Sequence, residues 1–240
     1  MLSFLLSIGL IFTSEIKTID LTHTLSEETT VYPGKKPFSR VICAYYQSGY
    51  RVDNMTLCTG IGTHMDAPNH FCPTGGGIET VSLSQCCGAA CVIHLKNKVQ
   101  THIDYAITKT DIEEWEATNG QIPKGSIVLF YTGWDQYWGT DHFCVRDAAG
   151  KCHFPGVGED AARLLVKRGV GAVGIDTMGM DVGNAPRYIA HEILLGARIP
   201  LVENLAQLDK LPPTGATVYM LPMKIKDAPE APVRAIAILP

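Results

Sequence analysis

The nine residues Gly62-Thr63-His64-Met65-Asp66-Ala67-Pro68-Asn69-His70 bring two imidazoles and a carboxylate together beside a pair of glycines, Gly60 and Gly62. In an extended chain successive side chains alternate faces. His64 and Asp66 then share one face with Cα atoms about 6.6 Å apart, within reach of a single cation. Helical spacing would splay them, and Pro68 argues against a helix because it lacks a donor and drives Ala67 towards extended geometry. His70 falls just past that bend, where it can turn back towards an ion or towards whatever the ion holds. An isolated His-x-Asp is more often a surface hydrogen-bonded pair than a ligand set. Here Gly60 and Gly62 share the parity of His64 and Asp66, so the same face carries bare backbone that lets a ligand approach closely.

Two further candidates lie near the C-terminal end. Residues 189–197 have helical composition, and His191 shares a face with Leu194 and Leu195, which turns its imidazole inward. A core histidine bonded to backbone is the plain alternative. Glu203 ends the run Ile199-Pro200-Leu201-Val202, and period-two parity puts it on the face of Ile199 and Leu201. A carboxylate on an apolar face is costly unless a cation or donors meet it.

The central stretch resembles the signature of the cyclase family of metal-dependent hydrolases, His-x-Gly-Thr-His-x-Asp-x-Pro-x-His. The likeness continues through Ile19-Asp20-Leu21-Thr22-His23, Val31-Tyr32-Pro33-Gly34, Thr132-Gly133-Trp134-Asp135, His153-Phe154-Pro155-Gly156, Gly174-Ile175-Asp176-Thr177 and Val202-Glu203-Asn204-Leu205. One position departs: Gly60 stands where the family has its first histidine. The resemblance implies a metal set of His64, Asp66, His191 and Glu203, with His70 as the proton-transfer residue. Strands and helices alternate without a regular βαβ rhythm, which reads as α/β with a mixed sheet, and the resemblance implies a barrel-like swivelling β/β/α domain assembled as a homo-oligomer, a dimer or tetramer. Mixed nitrogen and oxygen ligands suit zinc or manganese alike.

The implied activity is that of a metal-dependent amidohydrolase, opening a small aromatic formamide or cyclic amide with metal-activated water. Trp134, Tyr137 and Trp138 would suit such a substrate, or would simply be core or interface. Two other readings stand beside it: a non-catalytic metal- or ligand-binding module disabled at Gly60, and a different hydrolase on the same scaffold. Glycine offers no side-chain ligand, which leaves His64 and Asp66 two protein ligands for a first ion, whereas Asp66, His191 and Glu203 give a second ion three. One tightly bound ion is therefore expected, with Gly60→His raising the stoichiometry.

The elements that must position these groups are legible in outline. Strands are expected over 89–95, 126–131 and 170–175, with helices over 111–118, capped by Thr110, and 158–168. Gly75-Gly76-Gly77 reads as a loop. The letters of 169–174 fit a dinucleotide fingerprint, but they follow a helix and form a strand, the reverse of what that motif needs. His191-Glu192 opens like a zinc-protease helix, yet Leu195 occupies the second ligand position.

The chain of 240 residues, 46% hydrophobic, can bury one substantial core, and a single domain over 15–240 is expected. A net charge of −4 with no basic stripe points away from nucleic acid. The apolar run 2–12 is too short to span a bilayer. It reads as the core of a signal peptide cut near residue 14, slightly ahead of a hydrophobic first strand or interface arm, which favours secretion or a periplasmic location over the cytoplasm. Among eight cysteines none forms a Cys-x-x-Cys pair, and Cys144 and Cys152 flank a turn-rich loop that a disulfide could close.

Overall fold

The computed structural model describes residues 16–240. The apolar run at residues 2–12 and its expected cleavage point near residue 14 lie outside the described residues.

Eight strands form the central sheet: β1 (Thr18–Asp20), β2 (His64–Asp66), β3 (Cys87–His94), β4 (Ile127–Tyr131), β5 (Ala172–Ile175), β6 (Leu201–Glu203), β7 (Thr217–Pro222) and β8 (Glu230–Ile238). Their order is β1-β8-β7-β3-β4-β5-β6-β2, and a further pairing of β2 with β8 closes seven of them into a barrel-like ring. The four strands β3 to β6 run parallel to their neighbours, whereas every pairing that involves β1, β2, β7 or β8 is antiparallel. The mixed α/β class expected from the sequence is the class observed.

Period-two alternation sorts the barrel residues into two layers. Met65, Val92, Leu129, Val202 and Ala231 belong to an inner apolar cluster, and Ile93, Val128, Phe130, Val173 and Leu201 to an outer one. Both layers are buried, which is why β4 reads as an unbroken run, Ile-Val-Leu-Phe-Tyr, with no polar parity to mark a solvent face. The outer cluster is covered by three helices, α1 (Lys109–Asn119), α2 (Glu159–Arg168) and α3 (Ile189–Gly196).

Helix α1 begins earlier than expected. Its cap is Thr108, not Thr110, and Asp111 closes a capping box by accepting a hydrogen bond from the Thr108 backbone N–H at 2.7 Å. Both threonines suit a cap, but only Thr108 has an acid three residues on that the fold also ties to Lys98 and Tyr105. Helix α2 follows the expected span, ending at Gly169 in the left-handed conformation.

Candidate metal centre and active site

The registers of three neighbouring strands build the site. In the β2–β6 pairing His64 lies opposite Glu203, and in the β2–β8 pairing Asp66 lies opposite Glu230. Residues directly opposite each other in an antiparallel pair have Cβ atoms about 4.5–5.5 Å apart, so four polar side chains meet on one patch. Met65, Val202 and Ala231 point into the barrel, which turns His64, Asp66, Glu203 and Glu230 to its outer face, beneath α3.

Hydrogen bonds fix the orientation of both buried imidazoles. His64 Nδ1 donates to the Gly62 carbonyl at 2.8 Å, because a carbonyl only accepts, and Nε2 is left with its lone pair. That lone pair faces Asp66 Oδ1 and Glu203 Oε2, each at 3.4 Å, and Glu230 Oε1 at 3.8 Å. His191, on α3, engages Asp181 Oδ2 through Nδ1 at 2.5 Å and turns Nε2 to Asp66 Oδ2 at 3.4 Å and Glu203 Oε1 at 3.2 Å. Burial disfavours a charged His191, but Asp181, Asp66 and Glu203 outweigh it and hold its pKa well above the usual value. Burial would likewise raise Asp66, yet the neighbouring imidazoles, His191 above all, hold it down at about 2.

The set fits a divalent cation. Asp66 is 1% exposed and neither of its oxygens has a hydrogen-bond partner among the described residues. An ionised carboxylate left so costs several kcal/mol unless a cation meets it. A neutral imidazole lone pair directed at carboxylate oxygens makes the same demand. The groups Asp66, His70 and His191, and His64, Asp66 and Glu230, each place three ligand atoms within 4.8 Å of one another. All four residues expected as metal ligands, His64, Asp66, His191 and Glu203, converge.

His70 follows the short 3-10 turn Pro68–His70 and sits at the cluster's edge, 26% exposed at its side chain, with Nε2 3.9 Å from Glu230 Oε1. Its ring stacks edge-on to Phe71 and to His191, with centroids 4.8 Å and 5.9 Å away.

Gly62 takes φ +61°, and a Cβ there would lie 2.3 Å from Leu25 Cδ2. Both the conformation and the space call for glycine, and the Gly62 carbonyl is thereby free to accept from His64 and from Asn204 Nδ2. Gly60 differs. Its φ is not in the left-handed region, but a Cβ on it would fall 2.0 Å from Glu230 Oε1 and 2.3 Å from Lys35 Nζ. The space at Gly60 is therefore filled, and Gly60→His alone cannot simply add a ligand as the sequence suggests.

Four residues were given no role by the sequence. Asp181 orients His191 and accepts from the Ala190 N–H at 2.7 Å, while Glu230 and Lys35 pair at 2.6 Å beside Gly60. Asp176, fully buried, receives the backbone N–H groups of Thr132, Gly133 and Trp134 and is pushed by burial up to about 7. The one sequence signal for Glu230 was a charge heading the apolar strand Glu-Ala-Pro-Val.

A cavity of about 280 Å³ opens onto the cluster. Its aromatic wall is Tyr32, Phe71, Phe154 and Tyr188. Trp134 and Trp138, considered for that role, are elsewhere: Trp134 is buried with Nε1 donating to the Phe143 carbonyl at 3.0 Å, and Trp138 stacks on His23 at 4.0 Å. Tyr137 packs against Trp134 and His142. Segments that look aromatic in sequence thus serve the core, while scattered single aromatics line the cavity.

Known proteins share this fold. The family model described as "Putative cyclase" matches residues 19–182, a stretch that contains His64, Asp66, His70 and Asp181. Isatin hydrolase of Roseibium aggregatum is 28% identical over 249 residues, covering 96% of this chain and 94% of its own. Kynurenine formamidase of Geobacillus thermodenitrificans is 32% identical over 219 residues, covering 90% and 95%. The crystal structure of an isatin hydrolase bound to the product analogue thioisatinate superposes with a TM-score of 0.88 at 28% identity, over 94% of this chain and 93% of that one. With the family model spanning most of the sequence and the buried imidazole–carboxylate cluster in place, the chain belongs to the cyclase family of metal-dependent hydrolases and is an enzyme of that kind.

Proposed function

We propose that this enzyme hydrolyses the carbon–nitrogen bond of a small aromatic amide, a ring amide of the isatin type or an aryl formamide. The observation that carries the reading is the cavity itself: a wall of Tyr32, Phe71, Phe154 and Tyr188 leads to a buried floor of His64, His191 and Glu203. An aromatic ring is held by the wall while its carbonyl meets the polar floor. The 28–32% relatives whose names specify isatin hydrolase and kynurenine formamidase support the same substrate class.

His64, Asp66, His191 and Glu203 would hold the ion, zinc or manganese by their donor types. A divalent ion held there would polarise the amide carbonyl and lower the pKa of a water to about 7. Asp181 keeps Nε2 of His191 directed at the cluster. His70, partly exposed beside the cavity, takes the proton released in the attack and delivers it to the departing nitrogen.

The exposed surface supports an assembly of identical chains. The hairpin of Ser39–Ala44 and Val52–Thr56 exposes Val41, Tyr46 and Met55 at 65%, 75% and 61%. A two-stranded hairpin is marginal in water by itself, so a second copy of the chain is its natural cover. Activity is tested by stripping metal and assaying N-formylkynurenine, isatin and non-aromatic amides before and after Zn²⁺ or Mn²⁺ is returned. Metal-dependent turnover of an aromatic member is expected. Full activity after exhaustive chelation, with metal verified absent, overturns the reading.

A further inference from the structure

Asp66 and Glu203 each divide their oxygens between two imidazoles. Asp66 offers Oδ1 to His64 and Oδ2 to His191, each at 3.4 Å, and Glu203 offers Oε2 to His64 at 3.4 Å and Oε1 to His191 at 3.2 Å. A carboxylate arranged in this way bridges two foci. Donors placed about 2.1 Å from one ion in tetrahedral geometry stand about 3.4 Å apart, and the separations around each imidazole match that spacing. The focus at His191 has His70 close by. The focus at His64 has Glu230, whose Oε1 lies 3.8 Å from His64 Nε2.

Glu230 reaches that position because position 60 is bare. Gly60 has no conformational need for glycine, yet any Cβ would strike Glu230 Oε1 and Lys35 Nζ. The carboxylate is 6% exposed, its Oε2 accepts from Thr59 Oγ1 at 3.1 Å, and Lys35 Nζ donates to its Oε1 at 2.6 Å. A third carboxylate next to Asp66 and Glu203 would be repelled by them. Lys35 neutralises it, so that the Lys35–Glu230 pair carries the net charge of an imidazole while still presenting an oxygen to the focus. The orphaned oxygens of Asp66 are the independent sign that cations belong there.

We propose that Glu230, backed by Lys35, is a metal ligand that with His64 and Asp66 forms a second divalent-cation site beside the one at His191. The carboxylate takes the space that a side chain at position 60 would fill. The inference rests on the hydrolase reading for the first ion and adds a second. It replaces the expectation of a single ion, which counted only two protein ligands at His64.

The test loads the full chain with Zn²⁺, removes excess by desalting, and counts metal by elemental analysis, with competition against a chromophoric chelator for affinity. Wild type should retain two equivalents and Glu230→Gln one, with the weaker affinity reduced by tenfold or more. Gly60→His alone should bind no more than wild type, whereas Gly60→His with Glu230→Ala should return to two equivalents, the imidazole entering the vacated volume. Lys35→Met removes the opposing charge and should tighten the weaker ion several-fold, which keeps the inference testable if Glu230→Gln folds poorly. One equivalent in wild type, or two in folded Glu230→Gln, overturns the second site and leaves the proposed hydrolysis standing. A wild-type chain that binds no Zn²⁺ overturns both.

Discussion

His191 shows how little a single residue can do without its partner. Its imidazole is placed to serve as a ligand because Asp181 holds Nδ1 and aims Nε2 at Asp66 and Glu203. His70 has no such anchor, and its partial exposure suits a group that must exchange protons with substrate and water. His70→Ala is therefore expected to keep bound metal and lose turnover by roughly 10²-fold or more, whereas Asp66→Ala should lose the metal itself. Elemental analysis beside steady-state rates checks both, and wild-type turnover in His70→Ala would refute the assignment. A second prediction concerns His23, whose pKa burial lowers to about 4 against the milder opposing pull of Asp20. Its Nε2 has no partner among the described residues, so nothing compensates a charge there. Between pH 6.5 and 4 the unfolded chain binds a proton that the native ring refuses, and stability falls as pH drops through that window. The contribution is at most about 3 kcal/mol, constant above pH 6.5. His23→Phe, which retains the stack on Trp138, should flatten the difference between urea unfolding curves at pH 7 and pH 5.

At the scale of elements, the decisive piece is β2. It is three residues long, yet it sits between β6 and β8 and so receives a carboxylate from each side. A shift of one residue in either register would send His64 and Asp66 into the barrel and Met65 to the cavity. The small hairpin of Val145–Arg146 with Cys152–His153 carries another consequence of register. It is closed by a turn in which Asp147 Oδ1 accepts from the N–H groups of Ala149 and Lys151, and it brings the sulfurs of Cys144 and Cys152 to 2.8 Å. The hydrogen bond from Cys152 and the nearby Arg146 hold the Cys144 thiol down to about 6, while Cys152 is pushed up. A thiolate beside a thiol at neutral pH is poised for exchange. In an oxidised glutathione buffer these two cysteines should pair ahead of the other six, seen as one disulfide-linked peptide by mass spectrometry. Persistent free thiols at both positions would contradict this.

For the whole molecule, metal and fold are linked. The site joins β2, β6, β8 and α3, so an ion bound only by the folded chain stabilises all four together. At a free concentration 100 times Kd this amounts to about 2.7 kcal/mol, which in a chain of this length moves Tm by roughly 5–10 °C. Scanning calorimetry before and after chelation should show that drop, and an unchanged Tm would mean the cluster binds no ion tightly. The exposed hairpin gives the last prediction. Light scattering should report two or four copies of the chain, and Tyr46→Asp with Met55→Asp should shift the population towards single chains without loss of folded signal. Among the described residues no helix is long and apolar enough to cross a membrane.

The sequence by itself determined what local chemistry determines. Period-two spacing put His64 and Asp66 on one face, Pro68 forced the turn before His70, and unbroken apolar runs marked strands buried on both faces. Resemblance to a family added His191 and Glu203, which no spacing could have tied to residues more than a hundred positions earlier. Only the tertiary structure decided the rest. Glu230 faces Asp66 because the last strand closes the barrel against β2, and Lys35 meets Gly60 because a loop crosses over that point. Neither contact leaves a periodic trace in its own segment. The start of α1 was missed for a related reason: Thr108 and Thr110 are equal as caps locally, and the choice belongs to Asp111, held by Lys98 and Tyr105. Likewise the aromatics of the cavity are isolated residues from four separate segments, gathered by the closure of the sheet, whereas the clustered Trp134 and Trp138 were claimed by the core.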